Sequence, residues 1–135
     1  MKPAPVLTTA QMQALMPLAK TLGVELVSAS KSEVMGTLAW AERLTTAGGM
    51  LHGGALMVLA DSIGAALAFL NLPTGASTST TSSNTVFLRG VTAGVVTATA
   101  RPLHVGRRTI AVVVELADGH GRAVAQVTQS QAVLP

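Results

Sequence analysis

The sequence predicts an α+β domain in which a mainly antiparallel sheet covers one long, almost wholly apolar helix. Three observations carry this. From Gly53 to Leu70 the chain is rich in good helix formers, meets no proline until Pro73, and is apolar nearly all round, as a helix buried on most faces must be. Everything after that stretch has strand character, broken only by short turn-like segments. The 135 residues, nearly half of them apolar, suit one domain over 1–135 with a core of its own.

The elements follow in order. Thr8 and Gln11 stand at capping-box spacing, and Met12, Leu15, Met16, Ala19 and Leu22 continue an apolar stripe at helical period up to Gly23. Pro17 lies inside that stripe, so the helix is expected to kink or to break into two short pieces. Val24 to Ser30 and Glu33 to Trp40 read as two strands around a turn at Lys31, and Ala41 to Gly49 as a loop. Beyond the long helix, the Ser/Thr run from Ser77 to Asn84 suits a strand and leads into Val86-Phe87-Leu88-Arg89. Val95 to Leu103 alternates, Arg108 to Leu116 is β-branched, and Arg122 to Leu134 alternates again after a turn at Asp118-Gly119-His120-Gly121.

Composition removes several functions. There is no Cys, so disulfides, thiol catalysis and Cys-ligated metals are excluded, and no His-x-x-His or carboxylate spacing points to a metal. Two Phe, one Trp and no Tyr leave few platforms for stacking bases, so nucleic-acid binding is not expected. The start, MKPAPVLTTAQMQALM, lacks the apolar run of a signal peptide. Ala55 to Leu70 is short for a membrane span and carries Asp61, so no membrane association and a cytoplasmic location are expected. The net charge is +3, with arginines concentrated after Asp61, which suits an anionic partner or simply a solvated basic face.

The stretch GGMLHGGALMVLADSIG, residues 48–64, carries the most chemistry. Gly53 and Gly54 open the helix, where unpaired N–H groups and the helix dipole can bind an anion or polarise a carbonyl oxygen. A carboxylate among Met57, Val58, Leu59, Ala60 and Ile63 is unfavourable if buried, so Asp61 is either bonded to a neighbouring backbone or kept as a general base or nucleophile. Eight residues separate Gly53 from Asp61, about 12 Å along a helix. One chain cannot easily bring both to one carbonyl. If they share a reaction centre, two helices from two subunits lie antiparallel, and a two-fold dimer has two such sites at its interface. His52 stands beside the glycines, either to bond substrate or to cap the loop. A second cluster, LHVGRRT at 103–109, places Arg107 and Arg108 on a turn where they can grip phosphate, with Arg89 a candidate to join them. Nothing in it matches a standard nucleotide loop.

Together with FLRG at 87–90, PLHVGRRT at 102–109 and DGHGRAVAQVTQSQAVL at 118–134, this stretch resembles the hotdog-fold acyl-CoA thioesterases, in particular the phenylacetate-pathway and 4-hydroxybenzoyl-CoA thioesterase-like group. The resemblance implies a hotdog fold, a homodimer with shared active sites and usually a homotetramer, and no cofactor, CoA being part of the substrate. It puts Asp61 where the family has its catalytic acid, as nucleophile or general base, with Gly53 of the partner subunit polarising the thioester carbonyl and His52 beside it. It also implies that Phe87, Leu88, Arg89 and Gly90, with His104, Val105, Gly106, Arg107, Arg108 and Thr109, contact CoA. Two positions depart from the family's pattern: Thr46 stands where Asn or Gln is common, and Ala65 where several relatives carry Ser or Thr. Thr80, Thr81 or Ser82 on the next strand is the expected compensation. The expected reaction is hydrolysis of an aromatic or medium-chain acyl-CoA; a non-catalytic acyl-CoA-binding module or a hydratase on the same fold are the alternatives.

Overall fold

The structure is a computed structural model and describes residues 7–135. The first residues of the segment read for a signal peptide, 1–6, lie outside the described residues. Helix α1 (Thr9–Leu15) starts with the capping box of Thr8 and Gln11, each side chain bonding the other's backbone N–H. The stripe breaks at Met16, and Pro17 becomes the first residue of α2 (Pro17–Leu22), where a missing N–H costs nothing. Gly23 ends α2 in the left-handed conformation at φ 84°, which a side chain would strain. The buried faces of both helices, Met12 and Ala19, pack on the main core.

Strands β1 (Glu25–Ala29) and β2 (Val34–Ala39) form a hairpin, and two short 3₁₀ turns lead into α3 (Gly53–Leu70). Then come β3 (Ser77–Phe87), β4 (Val95–Val105), β5 (Thr109–Ala117) and β6 (Ala123–Leu134). The six strands make one sheet in the order β1-β2-β4-β5-β6-β3, antiparallel throughout. One face of it packs on α3, whose Leu59, Ile63 and Leu67 are fully buried, as are Val96 on β4 and Val112 and Val114 on β5. A helix long and apolar enough to cross a membrane is thus mostly buried in the protein's own core. That core contains no fully buried aromatic ring: Phe69 and Phe87 are exposed, and half-buried Trp40 donates from Nε1 to Gly49 O at 2.9 Å.

Most strand ends differ from the sequence reading by one residue, and the two larger differences follow strand pairing. β4 runs on past Leu103, because His104 and Val105 pair with Ala111 and Ile110, leaving a turn of only Gly106, Arg107 and Arg108. β3 stops at Phe87, so Leu88, Arg89 and Gly90 follow the strand. One face of α3 is left open. Gly54, Met57, Asp61 and Phe69 are exposed along it, at the spacing of a single helical stripe.

Candidate active site

The start of α3 is built by His52. As N-cap it accepts the Gly54 N–H on Nδ1 at 3.0 Å, so in the neutral ring Nε2 carries the proton and faces outward as a donor. The next amide back, that of Gly53, has no hydrogen-bond partner among the described residues. Gly53 is also where Phe87 comes closest: a Cβ there would stand 3.0 Å from Phe87 Cζ. The arrangement offers one free N–H at the positive end of an 18-residue helix, beside an aromatic wall.

Asp61 lies on the open face of the same helix. The expectation of a carboxylate buried among apolar neighbours is corrected here: within one chain Asp61 is exposed, because it falls on the open stripe of α3, where only polar side chains of the sheet reach it. Its Oδ1 accepts from Thr80 Oγ1 on β3 at 2.8 Å and from Gln129 Nε2 on β6 at 3.0 Å. Behind them Gln131 Nε2 donates to Thr80 Oγ1 at 2.8 Å and to Gln129 Oε1 at 3.1 Å. Gln129 is 4% exposed and Gln131 is fully buried. The sequence reading named Thr80 and missed both glutamines. Their signal is the run Val127-Thr128-Gln129-Ser130-Gln131, in which glutamine occupies two successive core-facing positions of an alternating strand.

The arginines divide. His104, Gly106, Arg107, Arg108 and Thr109 line one open concavity at the β4–β5 turn. That turn lies at the Ser77 end of β3, since Ser77 pairs with Leu134 and the Val133 N–H bonds Arg108 O. Arg89 follows the other end of β3, about 30 Å away at the rise of a strand. One chain therefore does not gather Arg89 with Arg107 and Arg108. A mainly apolar groove of about 370 Å³ runs between the N-terminal helices, α3 and β3; Leu15, Met16, Ala65, Phe69 and Thr78 line it, starting one turn beyond Asp61.

At the β5–β6 turn the Arg122 backbone N–H, with the His120 N–H and the Arg122 guanidinium, holds the Asp118 carboxyl below its ordinary range against the opposing effect of desolvation. Among the described residues no cluster of His, Asp or Glu is placed to hold a metal ion.

Residues 48–125 match the profile of the Thioesterase superfamily. A relative from Vibrio cholerae is 40% identical over 76 residues, 56% of this chain, and the match spans about half, 51%, of that protein's length. The 1,4-dihydroxy-2-naphthoyl-CoA hydrolase of Listeria monocytogenes is 31% identical over 103 residues, covering 76% of this chain and 84% of that one. Among solved structures, a mutant thioesterase of Pseudomonas aeruginosa superposes with a TM-score of 0.90 at 28% identity, over 96% of each chain. The fold and the family match together define the class as the hotdog-fold thioester hydrolases. The chain belongs to the thioesterase superfamily.

Proposed function

We propose that this protein hydrolyses an acyl-CoA thioester to the free acid and CoA, in active sites shared between two copies of the chain, without metal or redox cofactor. The observation that carries the reading is a hydrogen-bonded carboxylate, Asp61, on the same helix as an unpartnered N–H at Gly53. The two are about 12 Å apart by helix rise, so a second helix running the other way is what would join them at one carbonyl. Gly53 of one subunit then polarises the thioester oxygen, and Asp61 of the other attacks the carbon or activates a water for that attack.

The free edge of the sheet supports the dimer. β3 is eleven residues long, bonded to β6 on one side only, and contains neither Lys nor Pro to protect its other edge. Beside it runs the apolar stripe of Met57 and Phe69, 42% and 45% exposed. Antiparallel pairing of β3 with its two-fold copy covers both and turns the Phe87–Arg89 end of one chain toward the Arg107–Arg108 end of the other. Arginines from both subunits then hold the phosphates of CoA. Two such dimers make the homotetramer. The groove beyond Asp61 suits an aromatic or medium-chain acyl group, and the Listeria relative is named for an aromatic acyl-CoA.

The test is thiol release from benzoyl-, phenylacetyl-, hydroxybenzoyl- and medium-chain acyl-CoAs by the wild type and Asp61→Asn. Loss of the carboxylate should lower turnover at least about a hundredfold while CoA still binds. Turnover that survives in Asp61→Asn would move the chemistry to another residue. Binding of CoA without turnover by either protein would make this a binding module instead.

A further inference from the structure

The two oxygens of Asp61 are not equivalent. Oδ1 accepts from both Thr80 and Gln129, whereas Oδ2 has no hydrogen-bond partner among the described residues. An ionised carboxylate can only accept, so Thr80 Oγ1 and Gln129 Nε2 must both donate to it. Each is left with an acceptor, and the amide group of Gln131 fills both with its two hydrogens. Donation therefore runs one way along two arms, from a fully buried amide to a single exposed oxygen.

This arrangement is built at some cost. Two glutamines occupy core-facing positions beyond Val127, where apolar residues would pack without any polar group to satisfy. The helix gives way to them as well. A Cβ at Gly64, one turn after Asp61, would stand 2.5 Å from Gln129 Oε1, so only glycine lets the amide lie against α3.

We infer that Thr80, Gln129 and Gln131 are positioning residues that pin Oδ1 and leave Oδ2 as the oxygen that reacts. The inference rests on Asp61 being the catalytic carboxylate. A proton or a new bond on Oδ1 would displace two donors, whereas Oδ2 gives up none. If water attacks, Oδ2 takes one of its protons as the water oxygen bonds to the carbonyl carbon. The C–S bond then breaks, and the thiolate takes that proton. If the carboxylate attacks, Oδ2 bonds to the carbon and CoA leaves as thiolate. Water next cleaves the anhydride to the acid and Asp61, and the proton released goes to the thiolate. In both routes Oδ1 stays an acceptor throughout, and the same donors serve every step.

The test is kcat and KM for Gln129→Met, Thr80→Val, Thr80→Ser and Gly64→Ala beside Asp61→Asn, with Gln126→Met on the outer sheet face as control and circular dichroism as the check of folding. Gln129→Met and Thr80→Val should each lower kcat about 10- to 100-fold, the weight of a hydrogen bond to a charged group, with KM changed by less than about twofold. Thr80→Ser keeps the hydroxyl and should keep the rate. Gly64→Ala, whose methyl pushes the Gln129 amide aside, should behave like Gln129→Met, and it decides the matter with the Thr80 pair if Gln129→Met does not fold. Wild-type kcat in folded Gln129→Met and Thr80→Val, with Asp61→Asn inactive, overturns the positioning role and leaves Asp61 in place. Wild-type turnover by Asp61→Asn overturns both readings.

Discussion

Asp61 and Asp118 both accept hydrogen bonds, but the donors are distributed differently: Asp61 takes them on one oxygen and Asp118 on both. Asp118 uses both oxygens: Oδ1 accepts the His120 and Arg122 backbone N–H groups at 2.9 Å each, and Oδ2 the Arg122 Nε at 2.8 Å. It closes a turn and has nothing left to offer a substrate. Because those donors favour the charged form, its folded pKa lies below the ordinary 3.8, so its contribution to stability is complete above that value and is lost as the pH falls through the folded one. Thermal melts of wild type and Asp118→Asn should therefore differ at neutral pH and converge in acid; a constant difference would mean the turn is held by other contacts. His52 shows a third use of a polar side chain. Its imidazole satisfies the Gly54 N–H at the start of α3, while the Gly53 N–H has no partner among the described residues.

At the scale of elements, α3 and β3 are the two that the fold leaves partly uncovered. Each presents a surface that a lone chain leaves in water, the helix its stripe of Met57 and Phe69 and the strand its unpaired edge. Met57→Glu should leave the secondary structure intact, since the residue is 42% exposed in one chain, yet reduce the mass read by light scattering to that of one chain and abolish thiol release with it. A dimer that persists, or a monomer that still turns over, would rule out the shared site. Most of these elements were legible beforehand. Capping residues, the proline at 17 and an unbroken apolar run are local signals that tertiary contacts had no reason to override. Gln129 and Gln131 were harder to read, because a single glutamine on a strand looks solvent-facing and only their alternation with Val127 marks the core-facing side. The exposure of Asp61 escaped for a related reason: an all-apolar helix carries no periodicity to show which face the sheet leaves bare.

At the scale of the whole molecule, the arginines and the Asp61 carboxylate lie apart along the sheet. Arg89 and the Arg107–Arg108 turn lie at opposite ends of β3, while Asp61 on α3 is bonded by Thr80 partway along that strand and by Gln129 on the neighbouring β6. Replacing both Arg107 and Arg108 with Ala should raise KM for acyl-CoA about tenfold or more, leave kcat close to wild type, and flatten the dependence of KM on salt. A fall in kcat alone would place these arginines in the chemistry. The aromatic-poor core has a further use, an optical one. With no Tyr and a single Trp, ultraviolet emission from this protein comes from one address, Trp40, whose ring nitrogen is tied to Gly49 in the loop that leads into His52 and Gly53. Any movement of that loop when a thioester binds will change the surroundings of the only strong fluorophore in the chain. The protein carries its own reporter, bonded to the loop that opens α3, and needs no label to be watched.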